Sequence, residues 1–272
     1  MKYLLSVMLC LAVHSWAADP VVAPAKKLTI LAIGAHMDDA EGGVGGILIS
    51  AVKAGHRVVV VEAVSDLTTW KPTIGREEQS KADQLALAKR FGWEKRFLGY
   101  PYHSLEANNE LKRKLAAIYE EVQPDITFVQ NTEDYWPDHE ASGMAAKDAV
   151  LFPHGYTANR DAKRCPRVFA YAAGVNQTIR FEADYFVDVT PVMDDYMGLI
   201  AGMDVCLNGQ PLAEQIRYEM RDVKTNHVLK LSGHGWHRFC QCVDWASQSG
   251  TSATYAIGLK TIWGPRDGRP LW

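Results

Sequence analysis

Short apolar runs alternate with amphipathic stretches along the chain, and this pattern predicts the secondary structure. The runs over residues 28–35 and 57–64 are almost unbroken, which is typical of strands buried on both faces of a sheet. Helical spacing followed by Gly92 predicts a helix over 77–91. The same criteria predict strands over 97–100, 125–130, 167–173 and 186–189, and helices over 47–54, 110–122, 139–150, 193–203 and 212–224.

Alternation of strands and helices is typical of an α/β fold with a mostly parallel sheet covered by helices on both faces. The regularity fades after Thr225, so we predict one domain over residues 28–272 with an irregular C-terminal portion. Ligands of such sheets bind beyond the carboxyl ends of the strands. Functional residues are therefore expected just after Ala35, Val64, Tyr100 and Gln130.

The N-terminus has the layout of a secretory signal peptide. Lys2 precedes an apolar stretch over residues 4–13, and Ser15 and Ala17 provide small residues for cleavage. The stretch is about half of what a membrane span needs, which disfavours an anchor. We predict a signal peptide over 1–18, a linker over 19–27, a secreted or periplasmic mature protein, and no stable membrane insertion once the signal is removed.

Composition narrows the function classes. The chain has 29 basic and 32 acidic residues, a net charge of -3, which argues against nucleic acid as a partner because such binders usually carry a strongly basic face. Four cysteines follow the signal peptide. In an oxidising compartment they are compatible with two disulfides, or with plain buried thiols. The four are Cys165, Cys206, Cys240 and Cys242.

Two motifs stand at predicted strand ends and indicate a metal site. His36, Asp38 and Asp39 follow the first strand, and His139 follows the fourth. Imidazole and carboxylate suit Zn²⁺, and three protein ligands with one open position are typical of hydrolytic zinc sites. We predict His36, Asp39 and His139 as ligands, with Asp38 placed to take a proton from the bound water. The same donor set also accepts Fe²⁺.

Other interpretations of these residues remain open at this stage. Asp38 and Asp39 could cap the following helix, and His139 could be a surface residue at a helix start. A second metal site could lie in the pattern that runs from His234 through His237 to Cys242, although disulfides are the usual fate of secreted cysteines.

The two motifs resemble those of the PIG-L/LmbE-like family, zinc enzymes that remove N-acetyl groups, mostly from N-acetylglucosamine-containing molecules. The family pattern His-Pro-Asp-Asp-x-Glu appears here as residues 36–41, and His-Pro-Asp-His appears as Trp136-Pro137-Asp138-His139. The resemblance covers about residues 28–203. It implies a Rossmann-like fold, zinc held by His36, Asp39 and His139, and Asp38 as the general base.

The chain departs from the family pattern at two positions of the motifs. Met37 replaces proline, and Trp136 replaces a histidine that in relatives stabilises the charged tetrahedral intermediate. Trp136 could instead stack on a sugar ring. The candidates for a substitute donor are His103, His234 and His237.

Two further residues are assigned by position. Asp138 is expected to orient a metal ligand by contacting it, without binding the metal itself. Arg76 resembles a substrate-contacting arginine of the family, or else belongs to the solvated first turn of its helix.

Together these observations predict a secreted, zinc-dependent N-deacetylase whose substrate is an N-acetylglucosamine-type acetamido sugar or glycoconjugate. The alternatives are a metal amidase acting on another acyl-amide conjugate, and a catalytically weak glycan-binding relative. Retention of Asp38 argues against the binding protein, because a pure binder has no need of a base.

Overall fold

The computed structural model describes residues 26–174, 178–210, 218–221, 228–231, 233–266 and 269–272. The predicted signal peptide and most of the predicted linker lie outside the described residues. Lys26 and Lys27, the last linker residues, belong to no helix or strand.

Seven strands form one twisted sheet in the order β3-β2-β1-β4-β5-β9-β6. The first five in that order run parallel, and β9 runs antiparallel to both of its neighbours. The remaining two strands, β7 and β8, form a separate antiparallel pair. The strand bounds are β1 Thr29–Gly34, β2 Arg57–Asp66, β3 Glu94–Pro101, β4 Ile126–Gln130, β5 Arg167–Tyr171, β6 Tyr185–Asp188, β7 Tyr218–Arg221, β8 Val228–Leu231 and β9 Ala256–Trp263.

Helices cover both faces of the sheet, which confirms the predicted α/β class. Along β1, Ile30 and Ala32 pack with α1 and α5, whereas Leu31 and Ile33 pack with α3 and α4. Side chains that alternate between two apolar layers explain the unbroken apolar run. The helix bounds are α1 Asp39–Lys53, α2 Glu77–Phe91, α3 Asn109–Val122, α4 Pro137–Leu151, α5 Met193–Asn208 and α6 Gly233–Gln248.

The glycine-rich segment before the predicted helix at 47–54 is itself helical, since α1 begins at Asp39. Close packing is the reason. A Cβ on Gly43 would lie 2.2 Å from the Tyr171 ring, and one on Gly45 would lie 2.8 Å from Leu199. The glycines therefore let α1 approach β5 and α5 closely. Glycine has a low helix propensity, and for this reason the sequence pattern did not predict that the glycine-rich first part of α1 is helical.

The C-terminal portion is more regular than predicted. Residues after Thr225 form β8, the long helix α6 and the strand β9, which lies between β5 and β6. The helix predicted over 212–224 is wrong at Tyr218–Arg221, which is a strand, and residues 212–217 and 222–224 lie outside the described part of the chain. Of the two alternatives left open for the cysteines, the structure shows free thiols: Cys165, Cys206 and Cys242 are buried, and Cys240 is exposed. None of the described helices is long and apolar enough to cross a membrane.

The strand order places one crevice at the centre of the sheet. Counting outward from β1, the chain moves to β2 and β3 on one side and to β4 and β5 on the other. The crossovers on either side of this reversal leave a gap beyond the carboxyl ends of β1 and β4. Both predicted motifs follow these two strands.

Candidate metal centre and catalytic site

Local structure brings the three predicted ligands to one point. His36 lies in the turn between β1 and α1, where its backbone N–H donates to the Asp39 carboxylate at 2.7 Å. His139 lies in the first turn of α4, and Pro137 starts that helix with a backbone angle already suited to it. His36, Asp39 and His139 are nearly buried, with 9%, 8% and 3% of their surface exposed.

The spacing of the ligand atoms fits a tetrahedral metal ion. His36 Nδ1 lies 3.1 Å from His139 Nε2. The Asp39 oxygens lie 3.2 Å from His36 Nδ1 and 3.3 Å from His139 Nε2. Two ligands about 2.1 Å from one ion at the tetrahedral angle are themselves about 3.4 Å apart. Among the described residues this is the one group of three such side chains close enough to share an ion.

Each histidine has a carboxylate behind it. His36 Nε2 lies 3.0 Å from Asp138 Oδ2, and His139 Nδ1 lies 3.2 Å from Asp134 Oδ1. With one ring nitrogen held in this way, the other keeps its lone pair for the ion, an arrangement common to metal-bound histidines. Asp138 also accepts the backbone N–H groups of His103 at 2.8 Å and Leu105 at 3.0 Å.

The electrostatics favour a cation at the centre. Burial lowers the pKa of His36, but Asp39 and Asp138 outweigh it and raise that pKa to about 9. Burial likewise opposes the charge of His139, and Asp39 together with Asp134 raises its pKa to about 10. Burial also disfavours the Asp39 carboxylate, yet the two histidines hold its pKa well below the ordinary value. Three carboxylates, those of Asp39, Asp134 and Asp138, thus surround two histidines, and this excess of negative charge suits a divalent cation.

Asp38 is placed differently from its neighbours. It occupies the N-cap position of α1, but its side chain makes no capping hydrogen bond, which removes the capping interpretation. The residue is half-buried and lines the same cavity as the three ligands. Burial and the adjacent Asp39 raise the pKa of Asp38 to about 6.

The site opens into a cavity of about 400 Å³. One wall is aromatic: Tyr102 lies 6.1 Å from Trp70 and 6.2 Å from Trp136, measured between ring centroids. Another part of the lining comes from α5 and α6 and includes Asp204 and His234. All four strand ends named from the sequence contribute to the lining or the metal centre.

Comparison with known proteins agrees with this geometry. Residues 31–150 match the family model described as PIG-L: GlcNAc-PI de-N-acetylase. The resemblance to the PIG-L/LmbE-like family is confirmed. The matched segment of this PIG-L-like chain contains the three ligands, Asp38 and the aromatic wall.

Individual relatives are distant. The chain is 23% identical to a 4-oxalmesaconate hydratase of Pseudomonas putida over 192 residues, 66% of this chain and 73% of that protein. A conserved protein of Thermus thermophilus superposes with a TM-score of 0.67 and 21% identity, covering 88% of this chain and 96% of that one. An N,N'-diacetylchitobiose deacetylase from Pyrococcus horikoshii gives a TM-score of 0.66 and 19% identity, covering 86% and 83%. At these identities the structural likeness establishes the fold alone.

Trp136, the departure from the PIG-L motif, is half-buried at the start of α4. Its ring lies 4.9 Å from the His103 ring and forms part of the cavity wall. It offers an apolar face in place of the missing histidine. Arg76, at the N-cap of α2, lies outside the cavity lining and packs against Gly209, where a Cβ would be 2.2 Å from the guanidinium.

Sequence reasoning missed the buried support beneath the PIG-L motif. Lys95, on β3, has a fully buried side chain whose ammonium group donates to Glu41 at 2.8 Å and to Gln84 at 3.1 Å. It also donates to the Met37 carbonyl, and so holds the turn that carries Asp38. A lysine at a strand entry reads as exposed, so nothing in the pattern flagged it. Asp134, by contrast, stands among the polar residues after β4 and could have been named.

Several other sequence candidates do not form a second metal site. His234, His237, Cys240 and Cys242 all lie on α6, where Cys240 is exposed and Cys242 is buried. Within the described ranges they form no group with metal-ligand spacing.

Proposed function

We propose that this chain is a zinc-dependent N-deacetylase that releases acetate from an N-acetylglucosamine-type acetamido sugar. One observation carries the proposal: two imidazole nitrogens and a carboxylate lie close enough together to bind one metal ion. Beside them, in the same cavity, is Asp38, whose carboxylate makes no helix-capping hydrogen bond. Aromatic side chains also line this cavity. The family match and the deacetylase fold support it. Fe²⁺ suits the same donor set.

His36, Asp39 and His139 would hold the ion. When bound there, Zn²⁺ lowers the pKa of a water molecule towards about 7 and polarises a carbonyl. Asp138 and Asp134 keep the two imidazoles in the orientation that binding requires.

Asp38 performs the proton transfers in this proposal. Its carboxylate accepts a proton from water as the water oxygen bonds to the acetamido carbon. The carbon–nitrogen bond then breaks, and Asp38 returns the proton to the departing nitrogen. The products are acetate and the free amino sugar, so one water molecule is consumed and the carboxylate is regenerated.

The aromatic wall supports a sugar as the substrate. Trp70, Tyr102 and Trp136 line the cavity, and aromatic rings bind the apolar C–H face of a pyranose. The lining also includes polar side chains from α5 and α6, which can form hydrogen bonds with the sugar hydroxyls.

The test is acetate release from N-acetylglucosamine and N,N'-diacetylchitobiose by the zinc-loaded protein. Asp38→Asn should lower kcat by about 10²–10⁴-fold, the range for a lost general acid–base. Asp195→Asn, in the exposed first turn of α5, is the matched control and should leave kcat unchanged. Zinc bound at one equivalent without acetate release from any acetamido sugar would refute the proposal.

A second candidate is a metal-dependent hydratase, favoured by the sequence match to the Pseudomonas enzyme. It would add water to a carbon–carbon double bond instead of an amide. Loss of ultraviolet absorbance from 4-oxalmesaconate, with no acetate release from the sugars, would select it. Acetate release without that absorbance change selects the deacetylase.

We also propose that the protein acts outside the cytoplasm, on the strength of the signal-like residues 1–18. Expression of the full chain in a bacterial host, followed by N-terminal sequencing of the periplasmic protein, tests this. A start near Ala18 supports export, and an intact Met1 in the cytoplasmic fraction contradicts it.

A further inference from the structure

A histidine–carboxylate pair lines the same cavity as the metal centre. His234 Nδ1, near the start of α6, lies 2.6 Å from Asp204 Oδ1 on α5. Asp204 is 5% exposed, whereas 74% of the His234 side chain is exposed and lines the cavity. A buried carboxylate thus holds an imidazole that remains open to a bound ligand.

His234 is the best placed of the three histidines that the sequence offers as substitutes for the missing motif histidine. His103 contacts the rings of Trp136 and Tyr102 and does not line the cavity. His237 lines it, but has no carboxylate partner within the part of the chain that the structure describes. His234 alone combines access to the cavity with a group that fixes its ring.

We infer that His234, oriented by Asp204, supplies the hydrogen-bond donor that the family motif places at the position of Trp136. The inference rests on the proposed deacetylase function. His234 is then a catalytic residue that contacts the reacting carbonyl oxygen, and Asp204 is a positioning residue that acts through it.

The chemistry follows from the hydrogen bond between the two side chains. In the imidazolium form both ring nitrogens carry a proton, so Nδ1–H donates to Asp204 and Nε2–H is left to meet the substrate. As water adds to the acetamido carbon, the carbonyl oxygen gains negative charge, and Nε2–H donates a hydrogen bond to it without breaking a bond. When the carbon–nitrogen bond breaks, the electron pair on that oxygen re-forms the carbonyl double bond, and the pair of the broken bond leaves with the nitrogen, which takes the proton held by Asp38. His234 therefore ends the cycle unchanged.

Electrostatics are consistent with a donor in this place. The hydrogen bond to Asp204 raises the pKa of His234 to about 9, with a smaller contribution from Asp38 across the cavity. The second Asp204 oxygen is buried and has no hydrogen-bond partner among the described residues. The carboxylate thus directs its hydrogen bonding to the imidazole, in the way that an orienting aspartate does in other histidine-dependent enzymes.

The competing interpretation is a packing contact that merely joins α5 to α6. Such a contact would contribute to stability, and its loss would not depend on the charge of the bound ligand. A catalytic donor makes the opposite prediction, since it matters for the charged tetrahedral state and little for the product.

The first experiment compares His234→Ala with His154→Ala, a matched variant at an exposed histidine after α4 that does not line the cavity. We expect His234→Ala to lower kcat about 10²–10³-fold, as loss of one such donor does, with KM within about threefold and zinc still bound at one equivalent. His154→Ala should stay within about threefold of wild type. Added imidazole should restore part of the His234→Ala activity, because the side chain is open to the cavity.

The second experiment measures binding without turnover. The probe is the methylphosphonamide of glucosamine, a stable tetrahedral anion, and glucosamine itself is the control ligand. In titration calorimetry, His234→Ala should weaken the probe at least about tenfold and glucosamine less than about twofold. Introducing Trp136→His into this variant should recover both probe affinity and kcat.

The outcomes separate the two proposals. No acetate release by wild type overturns the deacetylase function and this inference together. Acetate release by wild type with His234→Ala within about threefold of it overturns the inference alone. Equal losses of probe and glucosamine affinity without imidazole rescue would also overturn it, in favour of a packing contact.

Discussion

Asp138 offers the sharpest test of how the metal centre is built. The residue is 1% exposed, and its carboxylate accepts three hydrogen bonds, one from His36 and two from the backbone N–H groups of His103 and Leu105. Asp138→Asn keeps the shape of the side chain but replaces one acceptor oxygen by an N–H donor. At least one of the three donors then faces another donor.

Two free energies should change, and they can be measured separately. Loss of a group that orients a metal-bound histidine typically weakens metal binding 10–100-fold, about 1.4–2.7 kcal/mol. Loss of a buried charge-assisted hydrogen bond should lower the metal-free free energy of unfolding by about 1–3 kcal/mol. The effect on zinc comes from the misaligned His36 ring, and the effect on the metal-free protein comes from the unpaired loop donors.

Competition with a chromophoric chelator measures the zinc affinity, and urea unfolding of the metal-free protein measures stability. The matched control is Asp125→Asn. Its carboxylate also accepts a backbone N–H, that of Thr29 at 2.9 Å, but at the opposite end of β1. It should leave zinc affinity unchanged. If Asp138→Asn binds zinc within about twofold of wild type, the orienting role derived from the structure is wrong.

Three further predictions concern stability and thiol chemistry. Gly143→Ala places a Cβ 2.7 Å from the last carbonyl oxygen of β4 and should lower the free energy of unfolding, measured in urea, by about 1–3 kcal/mol. The control Gly198→Ala has nothing within 4 Å of its Cβ and should raise that free energy by up to about 1 kcal/mol. Equal effects of the two variants would contradict the close packing at Gly143. Lys95→Met leaves the buried Glu41 carboxylate without its cation and should lower the free energy of unfolding by about 3–5 kcal/mol. The control Lys53→Met removes an exposed ion pair and should lower it by less than about 1 kcal/mol. A loss at Lys95 as small as that of the control would refute the buried ion pair. Iodoacetamide should label Cys240 alone in the native protein and the other described cysteines only after unfolding without reductant; a mass lacking these adducts would indicate disulfides.

The agreement between sequence and structure is closest where local pattern and burial coincide. β1, β2 and α2 lie within two residues of their predicted bounds, because an apolar run or a helical stripe with a terminal glycine records the environment directly. The prediction fails where a long-range contact decides the structure. The glycines of α1 are explained by Tyr171 and Leu199, which are far away in sequence.

In the C-terminal portion, too, long-range packing decides a helix that the sequence pattern did not predict. The buried positions of α6 follow helical spacing, but they include residue types that are not typical of a core, namely Gly235, Arg238 and Cys242. The helix is stabilised by packing on β9 and α5, with Phe239 and Trp245 buried in the core below it. Tertiary packing commonly overrides weak helix propensity in this way.

By itself, the sequence determined the α/β class, the strands that carry the site, and the metal-ligating residues as candidates, because residue type and strand-end position follow from local order along the chain. Only the tertiary structure decided which side chains meet. Three sets of contacts join residues from different elements: Asp134 and Asp138 with the two histidines, Lys95 with the turn at Met37, and His234 with Asp204. Polar contacts of this kind depend on distances of about 3 Å, and such distances are set by the packing of the whole fold.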